Sequence, residues 1–273
     1  MTCIGHQYSD FLFDLDGVIY LGNSVIPGAK QTIEKLRQWH KGIRFLTNNP
    51  QGTTMDFVKK LNNLGIKVVH EEVFSVSKAT ASFLAYQGFK GKLVYVIGSA
   101  GLKMELQSQG IHLAKESNLS EAVAVVASVH SNFNYRELVA ATNILDRCGV
   151  LFGTNRDAVR PTQQGKMPGS GSILAAIETA SGLQATIIGK PSPTFIRTVV
   201  NSLPDSSIAN PIIIGDRLDT DIAAGINANI KTVLVLTGIS SREDVARSVI
   251  KPNYIIPSVT DITREEKGVQ LTD

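Results

Sequence analysis

Two aspartates one residue apart, Asp14 and Asp16, stand at the end of the apolar run Phe11 to Leu15 and are followed at once by Gly17. On a strand, residues i and i+2 share a face, so both carboxylates can serve one site, and the glycine lets the chain turn away immediately. Two crowded carboxylates want a cation. Taken alone, the pair is better read as an Asp-Gly turn. An EF-hand is excluded: the loop's final position, counted from Asp14 or from Asp216, is Val25 or Asn227, where that motif needs Glu.

Other apolar runs end in complementary groups. Leu46-Thr47-Asn48-Asn49-Pro50 offers a hydroxyl and backbone N–H groups ahead of a helix near Thr53 or Thr54, a junction that can hold a phosphoryl group, although Thr, Asn and Pro also simply start helices. Ile187-Ile188-Gly189-Lys190-Pro191 sets a lysine where it can neutralise a doubly negative ligand; alone, such a residue is more often a surface lysine. It is no phosphate loop, because Pro191 occupies the Ser/Thr position and the leading glycine is missing. Gly215-Asp216-Arg217-Leu218-Asp219-Thr220-Asp221 supplies three more carboxylates, and hard Mg²⁺ takes one or two of these beside a substrate phosphate. Asp216 is expected on the metal, with Thr220 or Asp221 capping the helix through Ile222 to Ile226.

The elements that must position these groups are short runs rich in Val and Ile: Phe11 to Leu15, Ile43 to Leu46, Leu93 to Ile97, Ala122 to Val129, Val150 to Phe152, Thr186 to Ile188, Pro211 to Ile214 and Thr232 to Leu236. They have the pattern of strands buried on both faces. Helical spacing separates them, as in Ala29, Ile33, Leu36 and His40 before Gly42, and in Phe57, Leu61 and Leu64 before Gly65. Strand–helix alternation predicts an α/β fold, a doubly wound and mainly parallel Rossmann-like sheet whose ligands lie beyond the carboxyl ends of the strands. About 140 residues separate Thr47 from Lys190, far more than one helix and one strand need. A second α/β domain, a cap over 83–186, is therefore expected inside a core made of 1–82 and 187–273. Pro168-Gly169-Ser170-Gly171-Ser172 opens a further helical pattern; it fails the dinucleotide fingerprint at Leu174 and reads first as a flexible helix start.

Together, Asp14-Leu15-Asp16-Gly17, Thr47-Asn48-Asn49, Gly189-Lys190-Pro191 and Gly215-Asp216 through Asp221 resemble the four ordered motifs of the haloacid dehalogenase-like phosphatases. The subgroup is similar to the NagD-like or p-nitrophenylphosphatase family, and Leu21-Gly22, Gly153-Thr154-Asn155-Arg156-Asp157, Pro168 to Ser172 and Leu236-Thr237-Gly238 extend the match over nearly the whole chain. Pro50-Gln51 departs from it, where many members carry a small hydroxyl residue, and bears on specificity.

The resemblance implies a Mg²⁺-dependent phosphatase of small phosphomonoesters such as p-nitrophenyl, sugar or nucleotide phosphates. Asp14 would be the nucleophile and Asp16 the acid and base; Asp14, the Asp16 carbonyl and Asp216 would hold the metal. Thr47, Asn48, Asn49 and Lys190 would bind phosphate, with Asp221 in support. No role passes to Asp219, a position the family leaves variable. In the cap, the loop Asn155 to Ser172 with Arg156, Arg160 and Lys166 is the expected substrate contact, against the equal expectation that these cations are merely solvated. Two other classes stay open: a phosphorylation-switched module resembling a receiver domain, disfavoured because an acidic loop still follows Lys-Pro, and a catalytically silent Mg²⁺/phosphate-binding protein.

Composition is compatible with this. The 273 residues are 43% hydrophobic and 19% charged with a net charge of +3, enough apolar material for a core and too little charge for disorder. Two distant cysteines, Cys3 and Cys148, neither staple the chain nor form a zinc site, and no apolar run is long enough for a membrane span. A cytoplasmic protein is expected, with a small phosphorylated metabolite as partner. Scattered lysines argue against nucleic acid, and an exposed cap could support a homodimer. The five histidines show no paired spacing for a metal, and no Gly-x-Ser-x-Gly marks a serine hydrolase.

Overall fold

The computed structural model describes residues 3–162, 165–203, 210–264 and 270–271. The chain forms two compact units, one of Met1–Thr47, Phe57–Phe74 and Lys190–Asp273, the other of Asn48–Asp56 and Ser75–Gly189.

The first unit is a seven-stranded sheet in the order Gln270–Leu271, Tyr254–Ile256, Lys231–Val235, Pro211–Gly215, Asp10–Asp14, Gly42–Thr47, Val73–Ser75. Neighbours from Tyr254–Ile256 through Gly42–Thr47 run parallel, and Gln270–Leu271 closes one edge antiparallel. Phe11, Leu12, Phe13 and Ile212, Ile213, Ile214 are all fully buried, which is why these strands are continuous apolar runs and not alternating ones. The chain moves from Asp10–Asp14 to Gly42–Thr47 on one side and later returns at Pro211–Gly215 on the other. The strand order therefore reverses between the strand that ends in Asp14 and the strand that precedes Asp216, the point where a doubly wound sheet opens a crevice.

The helix Ala29–Gln38 buries Ala29, Thr32, Ile33 and Leu36 against this sheet. It ends two residues before His40, which takes a left-handed φ of 56°. The expected stop at Gly42 is corrected: His40 makes the turn, and Gly42 begins the next strand, where a Cβ would meet the Asp10 side chain. The helix Thr54–Asn63 begins where expected.

The second unit has its own five-stranded sheet, ordered Thr186–Ile187, Leu151–Gly153, Val125–Ala127, Leu93–Ile97, His112–Leu113, parallel throughout. Ile97, Val125, Ala127, Ile144, Leu145, Leu174 and Ile177 form its core. The helix Val76–Leu84 packs on the helix Ala100–Ser108 and belongs here, in the longer of the unit's two segments, Ser75–Gly189. The stretch expected as a loop holds a hairpin, Val159–Thr162 against Gly165–Pro168. The glycines that follow are not there for flexibility: a Cβ on Gly169 or Gly171 would meet the backbone at Asp157 or Arg156. Between them the buried Ser170 hydroxyl accepts the Val129 N–H at 3.0 Å. Among the described residues no helix is long and apolar enough to cross a membrane.

Candidate active site

Asp14 is the last residue of its strand and pairs in register with Leu46, so Thr47 emerges just beyond it on the neighbouring strand. On the other side Phe13 pairs with Ile214, which brings Gly215 and Asp216 to the same end of the sheet. All of these side chains belong to the first unit, and Asp14, Thr47, Lys190, Asp216 and Asp221 are buried.

Lys190 ties the group together. Its Nζ donates to Asp14 Oδ1 at 2.5 Å and to Asp221 Oδ1 at 2.6 Å. Asp221 does not cap the helix as expected: the helical turn starts earlier, at Leu218, and the Asp221 carboxylate instead accepts the Arg217 N–H at 3.2 Å and the lysine. Asp216 is held by the Ile239 N–H at 2.8 Å. Three glycines clear its space and that of Asp221. A Cβ on Gly17 or Gly238 would fall on the Asp216 side chain, and one on Gly215 would fall on Asp221. Thr237 then donates to the Gly17 carbonyl at 2.6 Å, pinning the loop after one strand to the loop after another.

The carboxylates of Asp14, Asp216 and Asp221 can present oxygens within 4.8 Å of one another. Three buried carboxylates face one ammonium, and the surplus negative charge shows in their protonation. Burial, reinforced by Asp221 and Asp216, drives Asp14 well above the usual carboxylate range despite Lys190. Asp216 is pushed up to about 6 by burial and then by Asp221, against the opposing pull of the Ile239 amide. Burial disfavours the Lys190 charge, but Asp14 and Asp221 outweigh it and hold the ammonium protonated. An all-oxygen, buried, anion-rich donor set of this kind fits a hard divalent cation such as Mg²⁺. Asp16 is open to solvent but ringed by protein, and burial raises its carboxyl, with Lys60 and Tyr20 opposing.

Of the other expected contacts, Asn48 and Asn49 fall in the second unit, where the Asn48 carbonyl accepts the Asn155 side-chain amide at 2.8 Å and Asn49 Oδ1 accepts the Gln51 N–H at 3.0 Å. Arg156 is committed to Glu178, donating to both carboxylate oxygens at 2.9 and 2.7 Å. Lys166 is exposed, and the Arg160 side chain lies outside the described residues. Asp219 pairs with Arg217 at the surface. The sequence reading assigned no task to Gly238, Ile239 or Tyr20; of these only Gly238 carried a signal, as part of Leu236-Thr237-Gly238.

Residues 11–112 match a family model described as haloacid dehalogenase-like hydrolase, and residues 187–262 match a second, HAD-hydrolase-like model. The chain is 32% identical over 259 residues to the acid sugar phosphatase of Staphylococcus saprophyticus, covering 95% of this chain and 98% of that protein. Its structure is similar to NagD from E. coli K-12, with a TM-score of 0.83, 30% identity and coverage of 95% of this chain and 98% of that one. It is also similar to the glycerol phosphate phosphatase of Mycobacterium tuberculosis in complex with magnesium, with a TM-score of 0.86, 29% identity and coverage of 96% and 78%. Two family models that fall on the strand ends bearing Asp14 and Lys190, and relatives matched over nearly their full length, place the chain among the haloacid dehalogenase-like hydrolases, as a NagD-like phosphatase.

Proposed function

We propose that this protein is a Mg²⁺-dependent phosphatase that hydrolyses small phosphomonoesters, sugar or nucleotide phosphates among them, through a phosphorylated Asp14. The observation that carries this is the clamp of Lys190 on Asp14 and Asp221 inside the acidic cluster, with Asp16 two residues from the nucleophile. Asp14 Oδ forms a bond to phosphorus while the bond to the leaving oxygen breaks, and the Asp16 carboxyl gives its proton to that oxygen. Asp16, now ionised, takes a proton from water as the water oxygen bonds to phosphorus and the bond to Asp14 breaks; phosphate leaves and both aspartates are restored. Lys190 offsets the charge that accumulates on Asp14 and the phosphoryl group, and Asp221 keeps the lysine in place. The Thr47 hydroxyl is assigned to the remaining phosphoryl oxygens. Mg²⁺, held by Asp14, Asp216 and the Asp16 carbonyl, would supply charge stabilisation to the transferring group.

The test is phosphate release from p-nitrophenyl phosphate by wild type and Asp14→Asn, with Mg²⁺ and with EDTA, followed by a panel of sugar and nucleotide phosphates. Turnover that needs Mg²⁺ and collapses in Asp14→Asn is expected. A well-folded wild type that releases phosphate from no ester would overturn the proposal.

A further inference from the structure

The turn after the first strand carries a polar group that the mechanism above leaves unused. Beyond Asp14 the chain reverses at Gly17, which takes a left-handed φ of 84°. It folds back so that the Tyr20 N–H donates to the Leu15 carbonyl at 3.2 Å and the Gly17 N–H donates to the Tyr20 carbonyl at 2.8 Å. Asp16 and Tyr20 form a β-bridge, and Tyr20 then opens the hairpin Tyr20–Leu21 with Ser24–Val25. The backbone thus fixes Tyr20 directly to the segment that bears Asp16.

The Tyr20 side chain is wholly buried, and its hydroxyl has no hydrogen-bond partner among the described residues. A buried hydroxyl left without a partner is a cost to the fold that phenylalanine would not carry. The ring itself is well held: it lies in the core, and the Lys60 Nζ stands 3.7 Å from its centroid, a cation–π contact. A phenol is a hydrogen-bond donor at neutral pH. This one is locked in the core with no partner of its own and is tied by the backbone to the segment that bears Asp16, which makes that carboxylate the group for it to serve.

We propose that Tyr20 is a positioning residue for Asp16, its hydroxyl engaging one carboxyl oxygen so that the other faces the leaving group. The proton that Asp16 delivers is then on the oxygen that points at the ester, and Lys60 holds the ring that makes the arrangement possible. This rests on the acid role of Asp16 proposed above.

The experiment compares kcat/KM for p-nitrophenyl phosphate and for phenyl phosphate, two aryl esters that differ only in the para-nitro group and of which only the second has a leaving group that depends strongly on a proton. This parameter covers the steps up to phosphoryl transfer. Tyr20→Phe keeps the ring and deletes only the hydroxyl; its thermal midpoint is expected to equal or exceed that of the wild type. In this variant the ratio of kcat/KM, p-nitrophenyl over phenyl, should rise about tenfold over wild type, and in Asp16→Asn about a hundredfold or more. A merely structural tyrosine would lower both substrates together and leave the ratio unmoved. A ratio that rises in Asp16→Asn and not in Tyr20→Phe removes the role of Tyr20 alone. A ratio that moves in neither removes the acid role of Asp16, and that of Tyr20 falls with it.

Discussion

Gly238 lies hard against Asp216: a Cβ on that glycine would fall on the carboxylate and on the aspartate's own Cβ. The Ile239 N–H, one residue on, holds the same carboxylate at 2.8 Å, so the side chain cannot swing clear without losing that bond. Gly238→Ala is therefore expected to displace Asp216 while leaving the sheet intact. The Mg²⁺ concentration for half-maximal activity should rise by about 10- to 100-fold, as when a metal ligand loses its orientation. A Mg²⁺ titration of wild type and variant, with circular dichroism as the check on folding, measures it.

Lys190→Met removes the ammonium that Asp14 and Asp221 share. Turnover of p-nitrophenyl phosphate should fall by about 10³-fold, since the nucleophile and the phosphoryl group lose their nearest fixed positive charge. Breaking a buried pair from one side costs about 3–5 kcal/mol. Burial already favours the protonated form of Asp14, so proton uptake relieves the variant, and its deficit should be larger at pH 8 than at pH 5. Urea unfolding of metal-free wild type and variant at the two pH values checks both size and sign.

Metal removal has its own signature. Mg²⁺ that binds the folded site and not the unfolded chain should stabilise the protein by about 2.7 kcal/mol at a hundredfold excess over its Kd. EDTA should reverse this and abolish turnover together. Asp216→Asn should blunt the Mg²⁺-dependent rise in Tm, which a thermal scan across a Mg²⁺ series would show.

In the second unit Glu178 accepts both hydrogen bonds from Arg156 and, through Oε1, the Ala185 N–H at 2.8 Å. The Arg156 hydrogen bonds hold the Glu178 carboxyl below its usual range. A carboxyl lowered on folding contributes stability above its unfolded pKa and loses it as pH falls through the folded value. Glu178→Gln should cost about 1 kcal/mol at pH 7, where Arg156 is half exposed and the pair is partly screened. The difference between wild type and variant should narrow at pH 3, as chemical denaturation at the two pH values would reveal.

Asp14, Thr47 and Asp216 are legible in the sequence because each stands at or just past the end of a run of buried apolar residues in one parallel sheet, where such ends converge; Lys190 is legible only through its Gly-Lys-Pro motif, since it follows Thr186–Ile187, a strand of the other sheet. Gly42 misleads for a physical reason: a glycine after a helical pattern resembles a stop signal, whereas here it makes room for Asp10 in the adjacent strand. The hairpin Val159–Thr162 with Gly165–Pro168 is hidden because its strands are short and contain prolines, and Gly169 and Gly171 hide their purpose because close backbone approach leaves no mark in periodicity. Tyr20 follows Val18-Ile19 and has the pattern of core packing; only the unsatisfied hydroxyl, a property of three dimensions, sets it apart. The pairing of Arg156 with Glu178 is likewise invisible, since the two lie on different elements and neither spacing nor composition links them.

The strand Asp10–Asp14 lies between Gly42–Thr47 and Pro211–Gly215, with the second unit encoded between those two neighbours. A ribosome therefore makes Asp14 before the inserted unit, and Lys190, Asp216 and Asp221 after it. The inserted sheet, contiguous from Leu93 to Ile187, is available to fold while the central strand of the other still lacks one side. The growing chain thus carries Asp14 well ahead of the groups that the proposed chemistry pairs with it, and the site comes together only once the strand Pro211–Gly215 and the turn beyond it have been made.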